Sequence, residues 1–538
     1  MEALSGKELK NFILGGFKNL EAQKAEVDAL NVFPVPDGDT GTNMFLTFQS
    51  AINEINKIPE TDLNIANVAE ALSKGSLMGA RGNSGVILSQ IFRGMAQKLV
   101  AAENNQVKSK ELATAFQAGV KTAYNAVMKP VEGTILTVSK EVAAGAVSGA
   151  KETDNILSTL ATAIHTGEVA LKKTPEQLHV LKQAGVVDAG GKGFLVILEG
   201  GMRGLQGEEF DFAPVHQTDA VERISKAVSG PIEYRYCTEF LVTGGSLPLE
   251  SIKNELTNLG DSLLVVGDQD MCKVHVHTNR PDQALELCIK YGELHEIKID
   301  NMADQSIEAE QPEPLQDELK EIGIVSVATG DGLIEILDSM GVDNIVTGGQ
   351  TMNPSTENLL EAVEEVNAKK VIILPNNSNI ILAAEQTKAL SENKEVGIVP
   401  TKSIPEAVAA LIAYNPEASL DENIETMTEG AKTVKTGEIT YAVRDSKYDD
   451  LEIKEGEILG LVSGKIVIQS SDINEAVLKT VQNMDAHEHE IITLFYGEEV
   501  NFEQADQLRQ QLVKEYPEVE VEMHYGGQSL YYYLISVE

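Results

Sequence analysis

Three changes of pattern along the 538 residues predict a multidomain chain: an all-α bundle of eight helices, a small α+β middle domain, and a two-lobed α/β C-terminal region. The first is helical periodicity, rich in small residues, that runs almost throughout to about residue 205. The second is a set of short strands and amphipathic helices between two linkers, 206–220 and 303–318. The third is a regular alternation of apolar strands and helices after the second linker. These breaks give domains at 1–205, 221–302 and 316–538.

In the first domain Leu9, Phe12, Ile13, Phe17 and Leu20 lie on one helical face. Further helices are expected at roughly 44–58, 65–75, 84–102, 109–128, 136–149, 153–172 and 192–204. Small residues, as in Glu141-Val142-Ala143-Ala144-Gly145-Ala146-Val147, suit closely packed helices. The middle domain reads as strand 233–242, helix 248–259, strands 262–267 and 271–278, and helix 281–291. Beyond the acidic, proline-bearing second linker, the strands 322–328, 345–347, 371–374 and 396–399 predict a parallel sheet. Residues 436–538 then read as antiparallel β with helices at 472–484 and 502–514.

Composition narrows the class. With 43 basic against 83 acidic residues, the net charge of −40 disfavours nucleic acid and anionic lipid as partners. Three cysteines make no disulfide framework. No apolar run is long enough to cross a bilayer and the N-terminus carries no signal peptide, so a cytoplasmic protein without membrane insertion is expected.

The densest motif is Asn31-Val32-Phe33-Pro34-Val35-Pro36-Asp37-Gly38-Asp39-Thr40-Gly41-Thr42-Asn43-Met44. Asp37 and Asp39 flank a glycine, so a tight bend turns both carboxylates toward one point. Thr40 or Thr42 is placed to cap a helix starting near Asn43, whose free N–H groups aim at the same point. Hard oxygen ligands beside a helix N-terminus suit Mg²⁺ bridged to phosphate. Taken alone, the segment is better read as a plain turn.

Two further glycine loops open helices, Gly79-Ala80-Arg81-Gly82-Asn83-Ser84-Gly85 and Gly185-Val186-Val187-Asp188-Ala189-Gly190-Gly191-Lys192-Gly193. Neither matches the P-loop pattern, and each alone is an ordinary inter-helix turn. Together with the paired carboxylates they are better explained by a nucleotide site, with Arg81 placed to face a phosphate.

In the middle domain Lys273-Val274-His275-Val276-His277-Thr278 sets two imidazoles on one strand face, and Cys237 lies on another strand. Two imidazoles and a thiolate suit Zn²⁺, while two packed histidines and a free cysteine are the bland alternative. Cys272 falls on the opposite face by parity, Cys288 reads as core, and His487 and His489 read as solvent-facing. The loops Gly348-Gly349-Gln350-Thr351-Met352-Asn353-Pro354-Ser355-Thr356 and Pro375-Asn376-Asn377-Ser378-Asn379 follow parallel strands, where ligands gather. Either an acyl carboxylate, a partner or no ligand at all fits them.

The segments PVPDGDTGTNM, GARGNSG and VDAGGKG resemble the ATP-binding domain of the dihydroxyacetone kinase L-type family. That resemblance implies an eight-helix bundle with Mg²⁺–ATP at one end and Asp37 and Asp39 as metal ligands. The family's first ligand, five residues before the pair, falls on Val32 here, with Asn31 beside it as the substitute. The nucleotide positions carried over are Thr40, Gly41, Thr42, Asn43, Gly79, Gly82, Ser84, Asp188 and Gly190. Residues 316–538 resemble the DegV-type fold of bacterial fatty-acid-binding proteins, and the full domain order is similar to the ATP-binding subunit of the fatty acid kinase family. What this implies is phosphoryl transfer from ATP to a fatty acid carboxylate, giving an acyl-phosphate, with Asp37, Asp39 and Arg81 as the catalytic set. The fatty acid is then expected on a separate DegV-type carrier docked on the C-terminal domain, with Zn²⁺ on Cys237, His275 and His277, and a homodimer. The rivals are the nucleotide-binding half of a dihydroxyacetone-type sugar kinase and a non-catalytic nucleotide-responsive scaffold.

Overall fold

The structure is a computed structural model and describes residues 1–31, 38–101, 105–127, 129–208, 235–245, 247–256, 259–267, 271–301, 319–349, 353–442, 445–448 and 451–538. The chain forms two compact units, one of Met1–Asp211 with Leu319–Glu538, the other Phe212–Glu318. The sequence reading treats 1–205 and 316–538 as separate domains, and their union into one unit was not legible from the linkers.

The first part is a helical bundle: α1 (Gly6–Leu30), α2 (Thr40–Asn56), α3 (Ile65–Met78), α4 (Gly82–Leu99), α5 (Ser109–Ala126), α6 (Ile135–Glu152), α7 (Ile156–Gln177), α8 (His179–Ala184) and α9 (Ala189–Leu205). The six-residue α8 stands beside the eight longer helices. Ser5 starts α1 with a capping box, its hydroxyl accepting from the Glu8 N–H while the Glu8 carboxylate accepts from the Ser5 N–H. The stripe Leu9, Phe12, Ile13, Phe17 and Leu20 is buried, and Phe17 stacks on Phe45 with centroids 5.1 Å apart. Gly15 of α1 meets Gly200 and Gly204 of α9 backbone to backbone, so these two helices pack closer than any Cβ permits. A two-residue strand pair, β1 (Ala3–Leu4) and β2 (Val107–Lys108), ties the N-terminus to the start of α5.

The second unit is a four-stranded antiparallel sheet ordered β4-β5-β3-β6, with β3 (Tyr236–Thr243), β4 (Gly260–Gly267), β5 (Met271–Thr278) and β6 (Glu293–Asn301). Strand β6 was not read from the sequence. Helices α10 (Leu249–Leu256) and α11 (Pro281–Ile289) contribute Ile252, Leu256, Ala284 and Cys288 to a core shared with Phe240, Cys272, Val274 and Val276.

The C-terminal part has two lobes. One is a parallel sheet ordered β10-β9-β7-β8, from β7 (Lys320–Ala328), β8 (Asn344–Thr347), β9 (Ala368–Leu374) and β10 (Glu395–Ile398). The other is a six-stranded sheet ordered β15-β14-β11-β18-β16-β17, antiparallel except between β16 (Ile491–Tyr496) and β17 (Glu520–Tyr525). Its other strands are β11 (Lys435–Tyr441), β14 (Ile458–Val462), β15 (Lys465–Ser470) and β18 (Tyr533–Val537). Between β11 and β14 lies a small separate hairpin, β12 (Ser446–Tyr448) with β13 (Leu451–Ile453). Phe495 and Leu534 of the second lobe join the core of the first. No helix among the described residues is long and apolar enough to cross a membrane.

Candidate active site

The site begins where α1 gives way to α2. Asn31 closes α1, its N–H donating to the Asp28 carbonyl. Gly38 sits at φ +59, a left-handed turn that favours glycine. Asp39 follows as the N-cap residue of α2 but makes no capping bond. Neither Thr40 nor Thr42 caps the helix, which starts at Thr40, three residues before the expected Asn43. The reason is Gly41, which reads as a breaker but lets the first turn of α2 press on the Lys24 carbonyl of α1. Thr42, inside that turn, donates its N–H to Asp28 Oδ1 at 3.0 Å and its hydroxyl to Asp28 Oδ2 at 2.8 Å.

Asp39 is 8% exposed and surrounded by amides. Asn31 Nδ2 donates to Oδ1 at 3.4 Å and Asn353 Nδ2 donates to Oδ2 at 2.7 Å. Burial raises its pKa, opposed by the Asn43 and Asn353 amides and reinforced by the Asp28 charge. Asp37 lies outside the described residues, so the bend that pairs it with Asp39 is not part of this geometry.

The second glycine loop lies against the first. Gly82 has φ +55, and a Cβ there would fall 2.5 Å from Asn43 Nδ2. Gly79 presses on Ser50 and Gly85 on Thr47 and the Asn43 carbonyl, so the start of α4 runs along the start of α2. Arg81 donates its backbone N–H to Thr47 Oγ1 at 3.2 Å and its Nη1 to the Asn353 carbonyl at 3.1 Å. Ser84 lies in the first turn of α4 and is half-buried.

The third loop caps α9. Asp188 Oδ2 accepts from the Gly191 N–H at 2.7 Å, and Thr174 Oγ1 accepts from the Asp188 N–H at 3.1 Å. Burial pushes the Asp188 carboxyl up to about 6, offset in part by backbone N–H groups of Gly191 and Ile135. Gly190 packs on Ile135, and Gly193 on Met44 and Val27, which brings the start of α9 to the same end of the bundle as the start of α2. The structure thus gathers Asn31, Asp39, Asn43, Arg81 and Gly82, with Thr40, Gly41, Thr42, Gly79 and Ser84 around them. Asp188 and Gly190 sit at the same end but bond to α6 and α9.

Two members of this constellation were not read as such. Asp28 is half-buried, and its spacing is that of an ordinary polar face of α1. Asn353 lies in a loop singled out for a different ligand, and nothing local in sequence ties it to Asp39. The segment that carries it docks on the second glycine loop: Thr356 donates its N–H to the Ala80 carbonyl at 3.1 Å, and Asn83 Nδ2 donates to Asn379 Oδ1 at 3.0 Å. Ala80 and Val86 share a buried cluster with Val325, Leu359, Val363 and Ile380.

Elsewhere in the same unit, Gly348, Gly349, Asn376 and Asn377 line an open cleft together with Glu438 and Gln528. Burial, and then the charge of Glu406, push the Glu438 carboxyl up to about 7. In the second unit, the side chains of Cys237, His275 and His277 lie outside what is described, but the backbone register sets Cys237 opposite His277 and Glu239 opposite His275. Cys288 is a buried free thiol, in keeping with its reading as core, and Cys272 is buried and free as well, while His487 is exposed and His489 half-buried.

Comparison with known proteins follows the three parts. A DAK2 domain model matches residues 34–203, the middle-domain model of the FakA-like fatty acid kinase family matches 233–309, and the C-terminal model of the same family matches 323–538. An uncharacterized protein of Staphylococcus haemolyticus is 43% identical over 99% of both chains, and one of Staphylococcus epidermidis is 42% identical over 99% of both. Among solved structures, DegV, a fatty acid binding protein from Bacillus subtilis, is 15% identical with a TM-score of 0.31, covering 40% of this chain and 98% of its own. The dihydroxyacetone kinase of C. freundii in complex with AMP-PNP and Mg²⁺ is 19% identical with a TM-score of 0.27, covering 36% of this chain and 32% of its own. The fatty acid kinase (Fak) B3 protein of Streptococcus pneumoniae, loaded with linoleic acid, is 11% identical with a TM-score of 0.27, covering 40% and 99%.

Proposed function

The chain belongs to the FakA-like fatty acid kinase family, and from that premise we propose that it is the ATP-binding subunit of a cytoplasmic fatty acid kinase. It transfers the γ-phosphoryl group of Mg²⁺–ATP to the carboxylate of a fatty acid, which a separate DegV-type carrier presents. The observation that carries this reading is the buried Asp39 at the N-terminus of α2, pressed against the glycine-built start of α4.

The residues present fit a magnesium-bound triphosphate. Asp39 supplies a hard carboxylate oxygen, with the Asn31 amide beside it, while Asp28 holds the first turn of α2 through Thr42. Asn353 Oδ1 is a buried acceptor without a partner among the described residues. Gly82 holds a conformation and a space that a Cβ would fill. When bound, Mg²⁺ neutralises charge on the phosphates. Asp39, with Asp37 as its expected companion, holds the cation. The N–H groups of Thr40 and Gly41 at the start of α2 and those at the start of α4, with Ser84, would hold phosphate oxygens. Arg81, fixed through the Asn353 carbonyl, supplies positive charge beside them. A carboxylate acceptor is ionised at neutral pH, so the site is asked for positioning and charge neutralisation rather than for a general base.

The test is direct. Purified chain, mixed with a DegV-type protein loaded with oleate, is expected to consume ATP and yield an acyl-phosphate trapped as hydroxamate. ATP consumption with dihydroxyacetone and none with oleate would overturn the proposal.

The same proposal assigns Zn²⁺ to Cys237, His275 and His277 in the second unit. Its support is the register, which sets Cys237 directly across from His277 with His275 two positions along the same strand. Metal analysis of the purified chain is expected to give about one zinc per chain, falling to background in Cys237→Ser; a zinc-free wild type rules the assignment out.

A further inference from the structure

The bond from Asn353 to Asp39 links residues 314 apart, across the seam between the helical bundle and the parallel sheet. The amide is 1% exposed. Its Nδ2 donates to Asp39 Oδ2, its backbone carbonyl accepts from Arg81, and its Oδ1 is buried with no partner among the described residues. A buried amide oxygen left unmade costs free energy unless something donates to it or coordinates it. Pro354 follows, which favours extended backbone at Asn353 and limits its freedom to swing away. Ser355 then caps the helix Thr356–Glu365, so the loop is anchored on its far side too.

We propose that Asn353 is a positioning residue of the metal–phosphate site, contributed by the C-terminal part of the chain. It fixes the rotamer of Asp39 through Nδ2, aligns Arg81 through its carbonyl, and offers Oδ1 to the hydrated cation or to a phosphate-bound water. An ionised carboxylate has about four acceptor positions. Among the described residues Asn31 engages one oxygen and Asn353 the other, which aims the Asp39 carboxylate. Holding a ligand in this way lowers what it loses on binding the cation. The bundle alone therefore carries an incomplete site.

This inference rests on the proposed nucleotide site, and the test separates the two. Binding of a fluorescent ATP analogue to the full chain is titrated with Mg²⁺ and again with the metal chelated. Three variants are compared: Asn353→Ala, the near-isosteric Asn353→Leu, and Asn379→Ala, which removes the Asn83 bond at the same seam without touching Asp39. Asn353→Ala and Asn353→Leu are each expected to weaken Mg²⁺-dependent binding about 10- to 50-fold, the range for a lost hydrogen bond to a buried charge. Binding of metal-free analogue is expected to hold within about twofold, as is Mg²⁺-dependent binding by Asn379→Ala. Equal losses with and without metal, a loss in Asn379→Ala as large as in Asn353→Ala, or full recovery in Asn353→Leu would each reduce Asn353 to packing at the seam and overturn the inference alone. A wild type that binds no Mg²⁺–nucleotide would overturn the site reading and this inference together.

Discussion

Asp39 and Glu438 are two acids in one compact unit, and burial raises the pKa of both. Their neighbours differ. Asp39 has amides on both oxygens and stands at the start of a 17-residue helix, where partial positive charge favours an anion. Glu438 lies in the middle of β11, faces the cleft, and has another acid, Glu406, as its charged neighbour. The first environment opposes desolvation with donors, so it prepares a carboxylate for a cation. The second adds repulsion to desolvation, so it prepares a carboxyl to keep its proton. Burial alone does not distinguish a ligand from a proton store; the donors around it do.

The largest contrast is in phosphoryl transfer. Asp39→Ala removes the carboxylate proposed to hold the cation, and a metal's stabilisation of the transition state is worth several kcal/mol. A loss of about 10³-fold in acyl-phosphate formation is expected. Glu438→Gln keeps shape and burial and is expected to stay within about threefold of wild type, under 1 kcal/mol. Comparable losses in both would erase the distinction drawn between the two acids.

What the sequence made legible follows from how local each feature is. The buried stripe Leu9, Phe12, Ile13, Phe17 and Leu20 was visible because helical spacing is a local property. The turn at Gly38 and Asp39 and the glycine start of α4 were legible for the same reason, since turns and helix starts have residue signatures, whereas Asn31 and Asn43 entered only through the family resemblance. The start of α2 was misplaced by three residues because Gly41 serves a close approach to α1, a tertiary demand that overrides its usual meaning as a breaker. Asp28 was missed because its helical position is that of any exposed carboxylate, until Thr42 folds onto it. Asn353 was flagged as a loop residue but not as a neighbour of Asp39, because contacts at that separation are set by the packing of Ala80 and Val86 on the sheet cluster. Strand β6 escaped because its alternation is broken by charged residues, as in Glu293-Leu294-His295-Glu296.

Two glycines sharpen the comparison at the level of backbone. Gly82 has φ +55 and no room for a Cβ, whereas Gly456, in a turn of the second lobe, has φ +82 with nothing near it. Gly456→Ala is expected to cost about 1 kcal/mol, for the left-handed conformation alone. Gly82→Ala adds displacement of the Asn43 amide and is expected to cost about 2–3 kcal/mol. Urea unfolding checks the pair. Equal costs would mean that Asn43 yields freely, and that the start of α4 is not rigidly seated against α2.

The pH dependence of Glu438 probes the other side of the contrast. Its folded pKa of about 7 lies above the ordinary 4.5, so the unfolded chain releases its proton first as pH rises. The folded state then loses stability between roughly pH 4.5 and pH 7, and the loss is complete above that window. Glu438→Gln removes this penalty. At pH 8 the variant is expected to be more stable than wild type by about 2 kcal/mol, somewhat below the full linkage value because the cleft admits solvent. Near pH 4 the two should coincide, since both carry a neutral side chain there in either state. A difference that persists at pH 4, or one of opposite sign at pH 8, would mean that the cleft holds Glu438 as a carboxylate after all, with a donor opposing the Glu406 charge in the way the amides oppose burial at Asp39.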